Sequence, residues 1–153
     1  RREAFDNFCR SLKSGGADKL PLLLVDAEDA VAAGHTTWQH LKANDNWDRP
    51  VGAADDQAFL MAQVMETWFL ADPVALGQRF GPHFSNTPFR VWPALEAVPK
   101  QTVYEVLKKA TVDCKQPYAK GGVSFEILAG LDPAKVEVAC PHALELLHRL
   151  RNL

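Results

Sequence analysis

Apolar and polar positions follow two different rhythms along this chain. Phe5, Phe8, Cys9 and Leu12 recur at i, i+3, i+4 and i+7, which predicts a one-sided helix over residues 3–14 that Gly15-Gly16 ends. Leu20-Pro21-Leu22-Leu23-Leu24-Val25 then runs apolar without alternation up to Asp26. Such a run predicts a strand over 20–26 that is buried on both faces, as in a parallel sheet. Residues 30–56 are weakly periodic, with Trp38, Leu41 and Trp47 as isolated anchors. They predict a short helix near 37–43, then a loop with a turn at Arg49-Pro50-Val51-Gly52. From Gln57 to Asp72 periodicity alone does not separate one buried helix from a strand feeding a helix, and we take a strand at 58–63 followed by a helix at 65–71.

Punctuation residues organise the rest. Asp72-Pro73 predicts an N-cap with proline at the first helical position, and Gly81-Pro82 stops that helix. Four prolines in 82–99 predict a loop. Thr102 and Glu105 have capping-box spacing ahead of a helix carrying Val103, Val106, Leu107 and Ala110. Ser124 is expected to cap a short helix ended by Gly130, and Asp132-Pro133 to start another element. Pro141 opens a last helix with Leu144, Leu146, Leu147 and Leu150 expected on its inner side.

This alternation predicts a single α/β domain over 1–153. Only two strands are visible, too few for a stable sheet covered on both faces. The chain also opens Arg1-Arg2-Glu3 without methionine, directly into a helix. Together these lead to the expectation that a first strand is missing in front. With 47% hydrophobic and 24% charged residues the composition is that of an ordinary globular protein. A net charge of -2 gives no general pull toward nucleic acid or membrane. No apolar stretch approaches a membrane span and no signal peptide is evident. Cys9, Cys114 and Cys140 are odd in number and widely spaced, as expected for reduced thiols in a cytoplasmic protein.

The candidate chemistry starts at the end of the first strand. Open parallel sheets bind ligands beyond the carboxyl ends of their strands, where Asp26 sits. Glu28 shares its side if the extended conformation persists, and two carboxylates there suit Mg²⁺ or Mn²⁺. Alternatively Asp26 caps the next element, while Glu28 and Asp29 are solvated loop acids. Glu66 interrupts an apolar stretch, so it is either exposed or paired. If the chain turns from strand to helix just before it, Glu66 joins Asp26 at the same edge. Tyr118-Ala119-Lys120-Gly121-Gly122-Val123-Ser124 resembles a phosphate-handling loop leading into a helix N-terminus, although the P-loop order is absent and a plain glycine turn fits equally. Residues 100–120 hold five lysines against two acids, a solvated face or a track for a phosphate backbone. The histidines lack metal-binding spacing, and neither GxSxG nor GxGxxG occurs.

The blocks Arg1-Arg2-x-Ala4-Phe5-Asp6-x-Phe8, Leu22-Leu23-Leu24-Val25-Asp26-Ala27-Glu28, Met65-Glu66-Thr67-Trp68-Phe69-Leu70-Ala71-Asp72, Tyr118-x-Lys120-Gly121, Ser124-Phe125-Glu126-Ile127-Leu128 and Asp132-Pro133 resemble an uncharacterised bacterial family, domain of unknown function 4276, related to Toprim-like nucleases. The resemblance implies a Toprim-like, Rossmannoid, mostly parallel sheet flanked by helices, with Asp26 and Glu28 as its Asp-x-Asp-type metal pair. The glutamate that such domains carry on a first strand has no counterpart here. The resemblance further implies partnership with an ATPase of the ABC or OLD type in phage defence.

Two functions are therefore expected. One is a metal-dependent phosphodiesterase, a nuclease effector acting on nucleic acid. In it Asp26 and Glu28 hold Mg²⁺ or Mn²⁺, Glu66 binds a second metal or positions water, and Lys120 steadies the phosphate. The alternative is a non-catalytic regulatory subunit of an ATPase complex, using Trp38, Trp47 and Trp92 as contacts.

Overall fold

The computed structural model describes residues 1–16 and 18–153. Helix α1 (Arg2–Ser14) leads to strand β1 (Leu23–Asp26), helix α2 (Thr37–Asp45) and strand β2 (Ala58–Met61). Helices α3 (Glu66–Phe69), α4 (Pro73–Phe80), α5 (Lys100–Thr111), α6 (Gly122–Gly130), α7 (Pro133–Ala139) and α8 (Pro141–Arg151) follow. The strands pair in parallel with Leu23 opposite Ala58 and Asp26 opposite Met61. The architecture is mixed α/β, and among the described residues the sheet has two strands.

Side-chain alternation along the strands sends the two faces of this sheet into separate cores. Leu23, Val25, Ala58 and Leu60 pack with Phe5, Phe8, Trp38, Leu41 and Trp47, beneath α1 and α2. Phe59, with Leu22, Leu24 and Met61, packs into the larger core around Phe69, Leu76, Leu107 and Ile127. Helices thus cover both faces of two strands.

Several predicted elements shift. β1 is shorter than 20–26, and its two faces differ: Leu23 and Val25 are buried, whereas Leu22 and Leu24 are half-buried. α5 starts at Lys100 rather than at a Thr102 capping box. Its first N–H is met from a distance, with Lys100 N donating to Gln63 Oε1 (3.3 Å). Ser124 is the third residue of α6 rather than its cap. α8 turns Ala143 and Leu146 inward, while Leu144 and Leu150 are 46% and 43% exposed. Trp38 and Trp47 are buried, so of the three tryptophans considered as contacts only Trp92 reaches the surface, under Arg90.

The proline-marked starts hold. Asp72 caps α4 through Ala75 N (3.2 Å), and Asp132 caps α7 through Ala134 N (2.9 Å). Asp72 also accepts from Asp132 N (3.1 Å) and Lys135 Nζ (2.6 Å), so one buried carboxylate ties the starts of two helices together.

Candidate functional site

The chain leaves the sheet at its carboxyl edge and turns directly into α3, which brings Asp26 and Glu66 together. Asp26 ends β1, and its Oδ1 accepts from Met65 N (2.8 Å). Glu66 opens α3 and is fully buried. Its Oε1 accepts from the Tyr118 hydroxyl (2.7 Å). Its Oε2 is buried and has no hydrogen-bond partner among the described residues. An unpaired buried carboxylate oxygen is costly, so it marks a place where a missing partner would be stabilising.

Tyr118 is held on three sides. Its N–H donates to Thr111 Oγ1 (2.8 Å), its hydroxyl lies 3.1 Å from Ser124 Oγ, and its ring meets Phe69 edge-on at 6.4 Å. Burial first, then the neighbouring Glu66 carboxylate, pushes its hydroxyl well above the usual range, so it remains a neutral donor. Two residues on, Lys120 Nζ donates to the Tyr104 hydroxyl (2.8 Å). Gly121 follows at φ 149°, a conformation that suits glycine.

Asp26, Glu66, Lys120, Gly121 and Ser124 line one cleft of about 430 Å³, with Leu24, Met61, Met65 and Phe125 among its apolar wall. Its charges act on one another. Burial raises the Asp26 carboxyl; the Met65 N–H and Lys120 oppose this, and Glu66 adds to it. The Tyr104 hydrogen bond raises the Lys120 ammonium against burial, helped by Glu66 and Asp26. Lys120 is thus a fixed cation beside two carboxylates, suited to holding negative charge and unsuited to accepting a proton.

Glu28 does not line this cleft, although its charge adds to the rise of the Asp26 carboxyl. Its φ of 69° breaks the extended run on which a shared side with Asp26 depended. Its carboxylate pairs with Lys100 Nζ (3.1 Å) at the start of α5. Of the five lysines in 100–120, Lys120 alone lines this cleft. Tyr118 and Tyr104 carry the geometry; the Tyr-x-Lys-Gly spacing signals Tyr118 in the sequence, and nothing there signals Tyr104.

A wider cleft of about 650 Å³ lies between the start of α2 and α8, lined by His35, His142, His148 and Arg149 among others. Its main charges are already matched, Arg149 by Asp56 (3.1 Å) and His142 by Glu96 (2.6 Å). Among the described residues no cysteine lines this cleft, and burial raises the Cys114 thiol and pushes Cys140 up to about 12.

Residues 1–151 match the family described as "Domain of unknown function (DUF4276)". The chain belongs to the DUF4276 family. No curated protein matches it, and no solved structure does. The blocks that carry the DUF4276 resemblance include the cleft residues Asp26, Glu66, Lys120, Gly121 and Ser124, and Tyr118, which bonds to Glu66.

Among the described residues no three His, Cys, Asp or Glu side chains gather to hold a metal on their own. Mg²⁺ is commonly held by one or two carboxylates, with waters and substrate phosphate completing its shell. Asp26 with the unpartnered Oε2 of Glu66 fits that sparser donor set.

Proposed function

We propose that this DUF4276 protein is a Toprim-like, divalent-metal-dependent phosphodiesterase whose site is the Asp26–Glu66–Lys120 cleft. The observation that carries this reading is the fully buried Glu66, with one carboxylate oxygen unpartnered, in the same cleft as a second carboxylate and a lysine. Asp26 and Glu66 would hold Mg²⁺ or Mn²⁺. When bound, the cation supplies Lewis-acid polarisation of a phosphoryl oxygen. Lys120, kept cationic by Tyr104, would hold a non-bridging oxygen and offset the charge that develops during displacement. Glu28, paired to Lys100, supports the edge from outside the cleft.

By family resemblance the substrate is nucleic acid, the role is a nuclease effector in phage defence, and the partner is an ABC- or OLD-type ATPase. No helix is long and apolar enough to cross a membrane. The regulatory-subunit reading loses two of its three tryptophans to the core.

The test is equilibrium Mn²⁺ binding, followed through the paramagnetic resonance of free Mn²⁺, with hydrolysis of bis(p-nitrophenyl) phosphate as the activity readout. Binding of about one Mn²⁺ that both Asp26→Asn and Glu66→Gln weaken tenfold or more is expected, about 1.4 kcal/mol each. Lys120→Met should retain Mn²⁺ and lose hydrolysis. Wild-type protein that binds no Mn²⁺ would remove the metal site and favour the regulatory subunit.

A further inference from the structure

We propose that the Tyr118 hydroxyl sets the cation preference of this cleft: by occupying Oε1 of Glu66 it leaves that carboxylate one oxygen to give, which favours Mg²⁺ and Mn²⁺ over Ca²⁺. The inference rests on the metal reading above and extends it to a residue that touches no cation itself. Its basis is an asymmetry within one side chain. Oε1 accepts from Tyr118 at 2.7 Å, while Oε2 is buried without a partner.

Neither side of this bond has freedom to rearrange. Glu66 is fully buried at the start of α3. Tyr118 is anchored through its N–H to Thr111, whose own hydroxyl donates to Leu107 O (2.8 Å), and its hydroxyl also meets Ser124. Releasing Oε1 would therefore strand a buried carboxylate oxygen without its donor. Mg²⁺ demands a compact octahedron and takes single oxygens from carboxylates, whereas Ca²⁺ accepts six to eight oxygens and readily takes both oxygens of one carboxylate. A carboxylate with one oxygen committed to a neutral phenol serves the first chemistry and handicaps the second. Tyr118 is thus a positioning residue that determines specificity through Glu66.

The experiment titrates Mn²⁺ and Ca²⁺ separately into metal-free wild type, Tyr118→Phe and Glu66→Gln by calorimetry, and reads the ratio of the two dissociation constants. Wild type should prefer Mn²⁺. In Tyr118→Phe the preference should fall by about tenfold or more, the lower end of what outer-shell changes do to metal affinity. A merely structural Tyr118 would weaken both ions in parallel, so an unchanged ratio in Tyr118→Phe overturns the inference.

Should Tyr118→Phe fail to fold, wild type labelled with ¹³C at its glutamate carboxyls answers the same question. The infrared splitting of the Glu66 carboxylate band should show one-oxygen ligation with both ions. A narrowed splitting with Ca²⁺, as two-oxygen ligation gives, overturns the inference. Wild type that binds neither ion, or binding that Glu66→Gln leaves untouched, overturns the metal reading and this inference with it.

Discussion

Replacing Glu66 by methionine separates a carboxylate kept for function from one kept for folding. Methionine preserves the length and unbranched shape of the side chain and removes both oxygens. The substitution loses the hydrogen bond from Tyr118, and bonds to charged groups contribute about 1.5–3 kcal/mol. The Tyr118 hydroxyl keeps Ser124 as a partner 3.1 Å away, so no orphaned donor adds to the loss. Against this, the change removes a buried oxygen with no partner, a relief of about 1–3 kcal/mol or more for a charged group. It also removes the repulsion between Glu66 and the half-buried Asp26, while forfeiting attraction to Lys120. The balance predicts that Glu66→Met leaves the metal-free protein within about 1 kcal/mol of wild type or makes it more stable. For a chain of this size each kcal/mol moves the midpoint by about 2–4 °C. The assay is urea unfolding in EDTA, followed by the same curves with Mn²⁺. Mn²⁺ should stabilise wild type and not the variant. A loss above about 2 kcal/mol in EDTA would show that Glu66 holds the fold together and would refute the reasoning.

Other consequences follow from the same structure. Asp72→Ala removes the cap of α4 and strands the N–H of Asp132, a combined loss of about 2–4 kcal/mol in urea unfolding. Lys135 adds little to this because it is 41% exposed. Burial raises the Asp72 carboxyl, but its donors Lys135, Asp132 N–H and Ala75 N–H outweigh that and hold it below 3.8. The gap between wild type and Asp72→Asn should therefore be full above pH 3.8 and close as pH falls through the lowered value; a gap that widens in acid would contradict this. The Glu96 hydrogen bond raises His142 above 6.5 against burial, so their charged pairing contributes fully below pH 6.5 and is lost as pH rises through the raised value. Glu96→Gln should thus destabilise more at pH 5.5 than at pH 8.5, where the bond from His142 N–H to Glu96 (3.0 Å) still acts in wild type. Equal losses at the two pH values would count against the charged pair.

Local chemistry made the helix starts at Pro73, Pro133 and Pro141 legible, because proline and its preceding cap act within one turn. It misplaced the start of α5, where the first N–H is met by Gln63 from across the fold. The inner face of α8 was misjudged for a related reason: four leucines offered several faces, and packing chose the one with small Ala143 and Leu146. At the site, the strand-to-helix turn that unites Asp26 and Glu66 could be read only as one of two alternatives, because the apolar period over 57–72 fits a single buried helix as well. Glu28 could not, since a single residue at positive φ undoes the twofold alternation on which its placement depended. Nor could the bond between Tyr118 and Glu66, which joins positions 52 apart with no periodic relation.

The most direct measurement is a crystal of this protein grown with Mn²⁺ and recorded at the manganese edge. The account predicts one anomalous peak in the cleft, contacting Asp26 and the Oε2 of Glu66, with Oε1 still bonded to Tyr118. A cleft without a peak at saturating Mn²⁺, or a peak only at Glu28 outside it, would contradict the claim that Asp26 and Glu66 form the metal site.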